Sequence, residues 1–143
     1  MTAVDARRRI NKNNLEVILW QIEYTDEFEK WWNELSQEAQ KDVASVVGLL
    51  EEWGVRLDYP YSSKIKGART RVLRELRIQS SGRHLRVMYA FDPRRTALLL
   101  LGGDKTGEKN WYEKYVALAD RLYEEHLEIL RREGAVSDGE EVS

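Results

Sequence analysis

The sequence predicts an α+β domain, an antiparallel meander of strands covered on one face by helices. Three observations predict it. Apolar residues recur at helical spacing between residues 28 and 50, strand-like runs crowd residues 72–102, and a second helical pattern fills 111–129. With one strand-like run ahead of them, the order is β-α-α-β-β-β-α.

Each element has its own signal. Val17–Tyr24 (VILWQIEY) is rich in β-branched, aromatic and aliphatic residues and reads as the first strand. Thr25 can cap the helix that follows, and Asp26 and Glu27 suit its positive end. Phe28, Trp31, Trp32 and Leu35 then fall on one helical face. Ser36 can cap a second helix carrying Ala39, Val43, Val46, Val47 and Leu50, with Gly54 as its stop. Leu57–Thr70, with Pro60, Ser62, Ser63 and Gly67, reads as a loop.

Val72–Gln79 and His84–Asp92 flank Ser81-Gly82, a hairpin signal, and Asp92-Pro93-Arg94-Arg95 forms a second turn. Thr96–Gly102 (TALLLLG) is a continuous apolar run of the kind a central buried strand carries. Asn110 can cap a last helix with Trp111, Tyr115, Leu118, Ala119, Leu122 and Ile129 on one face. Residues 1–14 are expected to form a flexible leader, 15–132 the folded domain, and 133–143 an acidic disordered tail.

Composition narrows the function classes. The chain has 143 residues and no cysteine, which removes disulfides, thiolate catalysis and zinc–thiolate sites. A reducing, cytoplasmic setting is expected. No apolar run approaches the ~20 residues of a membrane span. With only two histidines, no metal-ligand spacing is present. The tryptophans Trp31, Trp32, Trp53 and Trp111 are expected in the core, and His126 on the surface. Gly102-Gly103 is too short for a phosphate loop.

Charge is the strongest pointer. Between Lys64 and Arg95 lie ten Lys or Arg residues and two acids, inside a chain whose net charge is only −2. If Ser81-Gly82 closes the hairpin, Arg77 sits across from Arg86 and Gln79 across from His84. Leu85, Val87, Tyr89 and Phe91 then face the core, and His84, Arg86 and Met88 face outward. Two arginines opposed across a ladder repel. Glu75 is the one nearby acid, and it cannot neutralise both arginines and His84, so a phosphate is the expected missing partner. The plain alternative is a solvated surface network of little energetic consequence. Lys64 and Lys66 upstream, and Lys105 at the end of the apolar strand, favour the phosphate.

The run LRELRIQSSGRHLRVMYAFDPRRTALLLLGGDKTG, followed by a helix near NWYEKY, resembles the RelE/ParE toxin superfamily, and above all its HigB-like branch. The resemblance spans Glu16–Leu130 and is most specific over Leu73–Tyr115. It implies a RelE-like twisted antiparallel sheet with helices packed on one face. It also implies the toxin of a type II toxin–antitoxin system, an endoribonuclease that cuts mRNA on the ribosome without metal or other cofactor. The partners implied are the ribosome, mRNA and a cognate antitoxin, a HigA-like helix-turn-helix protein. By position, Arg86 matches the family's sheet arginine, Arg77 the basic residue of "ELR", Lys105 the basic residue after the apolar strand, and Tyr112 a tyrosine that some members use. Lys64 and Lys66 resemble the basic loop before the sheet, and with Arg74 and Arg83 make up the expected RNA-binding set.

Metal-free RNA cleavage needs a base for the 2′-OH proton, positive charge on the phosphorane and an acid for the departing 5′-oxygen. Arg77 and Arg86 are expected to stabilise charge, Lys105 or His84 to move protons, and Tyr112 to stack or share the proton role. Arg86→Ala is expected to abolish cleavage and leave the fold intact. Two rivals stand beside this reading: a ParE-like inhibitor of gyrase, and a non-catalytic binding module descended from a toxin.

Overall fold

In the computed structural model, residues 2–4, 8–10 and 16–134 are described, with side chains from residue 18 onward. The elements run β1 (Thr2–Val4), β2 (Arg8–Ile10), β3 (Glu16–Ile18), β4 (Ile22–Tyr24), α1 (Asp26–Glu34), α2 (Gln37–Trp53), a 3₁₀ turn (Gly54–Arg56), β5 (Ser62–Lys64), β6 (Arg74–Ser80), β7 (Arg83–Phe91), β8 (Ala97–Asp104) and α3 (Trp111–Arg132). Five strands form a sheet in the order β4-β8-β7-β6-β5, and the backbone of β1 adds a sixth beside β4. The short β2 pairs with β3 apart from this sheet. Of the expected leader, only the backbone of β1 and β2 is described. The acidic tail from residue 135 onward lies outside the described residues.

The α+β class holds, but the sheet is mixed. β4 pairs parallel with β8, while the other pairs are antiparallel. Helices also cover both faces. On one side α1 and α2 pack Phe28, Val43, Val46 and Leu50 against Leu76, Ile78, Val87 and Leu99. On the other, α3 packs Trp111, Ala119, Leu122 and Tyr123 against Met88, Ala90, Leu98 and Leu100. Each buried Val, Leu, Ile, Phe or Met among them contributes roughly 1.5–3 kcal/mol of transfer free energy. The expectation of helices on one face fails because β7 and β8 are apolar on both.

The caps at Thr25 and Ser36 form as expected, accepting from the Phe28 and Ala39 backbone N–H groups at 3.1 Å each. The Thr25 hydroxyl also donates to the Leu100 carbonyl at 2.6 Å, seating α1 on the central strand. Asn110 makes no side-chain cap. The hairpin turn has Ser81 at φ 49° and Gly82 at φ 78°, the two positive values of a type I′ turn.

Two expectations about strands change. Val17–Tyr24 is broken at Leu19–Gln21, because the Trp20 N–H leaves the ladder and donates to the Glu51 carbonyl of α2 at 2.8 Å. Its indole then lies over Gly54, where a Cβ would come within 2.0 Å of the ring and where φ is +56°. The expected loop before the sheet contains β5, which pairs with β6 at Ser62↔Leu76. In α3, Leu130 is buried and Ile129 exposed. Trp53, expected in the core, is 48% exposed, with the Arg56 guanidinium 5.5 Å from its ring centroid.

Candidate active site

The hairpin places Arg77 opposite Arg86 and Gln79 opposite His84, the register that Ser81-Gly82 implies. β8 extends the first row, with Gly103 beside Arg86. Lys105, one residue past β8, donates its N–H to the His84 carbonyl at 3.0 Å and so extends the second. Opposed residues share a face, and this face is the one that α3 covers. The bare Gly103 leaves room for the Trp111 indole, which a Cβ would approach to 2.8 Å. Gly102 does the same for Trp31 on the other face, where a Cβ would come to 2.2 Å. The glycine pair therefore admits two tryptophans, one per face.

Glu75 is the anion at the centre. Its Oε1 accepts from the Tyr112 hydroxyl at 2.6 Å and lies 3.4 Å from Arg86 Nε. Its Oε2 accepts from the Ser63 hydroxyl at 3.1 Å and lies 3.8 Å from Arg77 Nη1. The opposed arginines thus share a carboxylate supplied by the fold, and one carboxylate against two guanidinium groups leaves positive charge over.

The two arginines are not equivalent. Arg86 is 2% exposed, its Nη1 donates to the Leu85 carbonyl at 3.0 Å, and its Nε lacks a hydrogen-bond partner. This overturns its outward, solvated placement, and makes Arg86 a buried partner of Glu75. The Arg77 side chain is 29% exposed, and its guanidinium lies 5.3 Å from the Tyr59 ring centroid. On the far rim, Lys105 Nζ is 5.5 Å from the Tyr112 ring centroid. Two cation–aromatic pairs therefore flank a buried Glu75–Arg86 pair.

Titration follows this layout. Burial lowers the Lys105 pKa, Arg86 and Arg77 lower it further, and Glu75 opposes them. Burial raises the Tyr112 pKa, and its hydrogen bond to Glu75 and the charge of that carboxylate add to the rise, against Arg86. The phenol is therefore held neutral as a donor. Three permanent or readily formed cations converge on one carboxylate, which can bind a phosphodiester and favour a neutral lysine.

The remaining sequence candidates separate. His84 is exposed, on the same face as Arg86 and about 7 Å along the strand from it. Lys66 lines a shallow groove with Tyr112 and Glu113 beside the cluster. Arg74, Arg83 and Lys64 belong to rows that face α1 and α2, so the structure does not bring them to the site. Arg74 Nε donates to Ser62 Oγ at 3.0 Å, and Arg83 pairs with Asp104. Tyr59 gave no helical or strand signal, and only its place in the Tyr59-Pro60-Tyr61 run pointed to an exposed aromatic turn.

A second charged network lies past the other end of β7. Arg94 forks onto Glu23 at 2.8 and 3.0 Å and reaches Asp92 at 2.6 Å. His126 Nε2 is 2.8 Å from Asp92 Oδ2, and the histidine is 3% exposed, which overturns its expected surface position. Burial alone would raise the Asp92 pKa, but hydrogen bonds from His126 and Arg94, and the Arg94 charge, leave it lowered. An ionised Asp92 only accepts, so His126 Nε2 carries the proton. On α3, Asp120 accepts the Arg69 and Thr70 backbone N–H groups at 2.9 Å each and ties the loop after β5 to the helix.

Comparison with known proteins agrees with the reach of this core. The chain is 37% identical over 99 residues to a Mycobacterium tuberculosis (strain ATCC 25618 / H37Rv) protein named "Putative toxin HigB2", a match covering 68% of this chain and 49% of that protein. It is 38% identical over 100 residues to "Putative toxin HigB3" of the same strain, covering 69% of this chain and 86% of that protein. The chain thus spans about half the length of the first relative and most of the second. Residues 30–124, from within α1 to within α3, match the phage-derived Gp49-like proteins (DUF891), and every residue of the cluster lies inside that span. The chain belongs to the Gp49-like family.

Proposed function

We propose that this chain is the toxin of a type II toxin–antitoxin pair, a HigB-like member of the RelE/ParE superfamily that cuts ribosome-bound mRNA without a metal. The observation that carries the reading is the surplus of fixed positive charge around Glu75, where Arg77, Arg86 and Lys105 face one carboxylate. The names of the two relatives support the toxin class. A cognate antitoxin of HigA-like type is the expected protein partner.

In this reading Arg77, the accessible arginine, holds the scissile phosphate and the charge that builds on it. Lys105 in its neutral form takes the 2′-OH proton as the 2′-oxygen attacks phosphorus. The P–O5′ bond breaks, and His84, the register neighbour of Lys105, returns a proton to the departing oxygen. The products are a 2′,3′-cyclic phosphate and a 5′-hydroxyl. Arg86 is a positioning residue that fixes Glu75 and adds to the field lowering the Lys105 pKa. Tyr112 holds Glu75 from above by donating to it.

The test is induced expression in bacteria, with RNA 5′ ends mapped for the wild type, Arg77→Ala and Lys105→Ala. The wild type is expected to arrest growth with new cuts inside translated frames, and each variant to lose about 10²–10³-fold in cutting, as when one oxyanion donor is removed. Arrest without RNA cuts would move the target to gyrase or elsewhere. Absence of arrest would favour a binding module.

A further inference from the structure

We infer that Tyr59 is the base-stacking platform of this site, so that the substrate is single-stranded RNA held by an unpaired base beside the scissile phosphate. This inference rests on the ribonuclease reading above. Tyr59 is 71% exposed, the most exposed of the large hydrophobic side chains among the described residues. Its ring is nonetheless not adrift. The turn that carries it is pinned by the Tyr61 and Ser62 N–H groups donating to the Asp58 carbonyl at 3.1 Å each, and by the Arg77 N–H donating to the Tyr61 carbonyl at 2.8 Å. Asp58 is in turn 3.5 Å from Arg74.

The fold therefore holds an open aromatic surface at a fixed place. That place is the rim of the cluster, because the Arg77 guanidinium sits 5.3 Å from the Tyr59 centroid and 3.8 Å from Glu75. A guanidinium bracketed by a carboxylate and a ring has little freedom left, and it directs its remaining donors at whatever phosphate lies alongside the ring. Aromatic faces next to cationic groups suit single strands, since every base has a π-face and every nucleotide a phosphate. A paired base in an A-form helix presents no free face, so duplex RNA is excluded by the same geometry.

The experiment is 5′-end mapping in cells expressing the wild type, Tyr59→Ala, Tyr59→Phe or Tyr59→Trp at matched protein levels. Base–aromatic stacking is worth about 1–3 kcal/mol by alanine substitution, so Tyr59→Ala is expected to cut roughly 5- to 150-fold less. Phe and Trp should restore cutting, and Trp should change which bases flank the cut. Wild-type cutting that persists undiminished in Tyr59→Ala, with the same flanking bases, would overturn the platform and leave the ribonuclease reading standing. Loss in Tyr59→Ala that Phe does not rescue would assign the effect to the phenol and also overturn it. A wild type that cuts no RNA would overturn both.

Discussion

Two networks of buried charge bracket β7, and they differ in balance. Past the strand's end, Glu23 and Asp92 share Arg94 through a fork of short hydrogen bonds, and His126 closes the fourth side. Near the hairpin, Glu75 alone faces Arg77, Arg86 and Lys105. Both leave one nitrogen without a hydrogen bond, His126 Nδ1 in the first and Arg86 Nε in the second. On a neutral imidazole that nitrogen is an acceptor, whereas on Arg86 it is a charged donor. The first network is closed upon itself and ties β4, the turn after β7 and α3 together. The second keeps surplus charge and two cations at the rim, which is what an anion-binding site requires.

Removing the hub of the closed network should do the most damage. Arg94→Ala leaves the buried Glu23 without its arginine and Asp92 with only His126 and backbone N–H donors, at a cost of about 3–5 kcal/mol. Thermal unfolding should shift downward by roughly 10 °C or more, while activity per folded molecule stays unchanged. A shift of a degree or two would show that the network is not structural. Its acid limb is a further check. The lowered Asp92 pKa gives stability that is full above the ordinary carboxylate value and is lost as pH falls through the folded one. Without Arg94 the folded value rises toward the ordinary one, so this contribution should shrink and be fully lost at higher pH.

Arg86→Ala should cost less, about 1–3 kcal/mol, because Glu75 keeps its bonds to Tyr112 and Ser63 and its contact with Arg77. Circular dichroism and thermal melts of Arg86→Ala beside Arg77→Ala sharpen the contrast. The buried arginine should lower stability, and the partly exposed Arg77 should change it much less. Equal stability losses would mean that the two arginines share one role.

How far these networks could be read from the sequence differs for physical reasons. The Arg77–Arg86 opposition follows from a local turn, since Ser81-Gly82 fixes the register of everything before and after it. The caps at Thr25 and Ser36 are equally local. His126 meets Asp92 across 34 residues, and nothing near either marks the other. The two-faced sheet had a signal, the unbroken TALLLLG run, which suits a strand buried on both sides. An alternating reading of β7 set that signal aside and sent Met88 and Arg86 to solvent. Arg86 is sealed because α3 returns over that face, a tertiary event that strand alternation does not encode.

The smallest expected effect is the most specific to the open network. In the proposed mechanism Lys105 works as a base only when neutral, and burial, Arg86 and Arg77 all lower its pKa while Glu75 raises it. The rate of cutting ribosome-bound message should therefore rise with pH through an inflection below the ordinary lysine value. Arg77→Ala removes a cation and should move that inflection up, in addition to slowing the reaction. Glu75→Gln removes the one opposing charge and should move it down. Opposite movements in the two variants, with folding checked by circular dichroism, would identify Lys105 as the titrating base within this charge cluster. An inflection that stays put in both would take the base role away from Lys105, because a group outside the cluster would not feel either charge at this range.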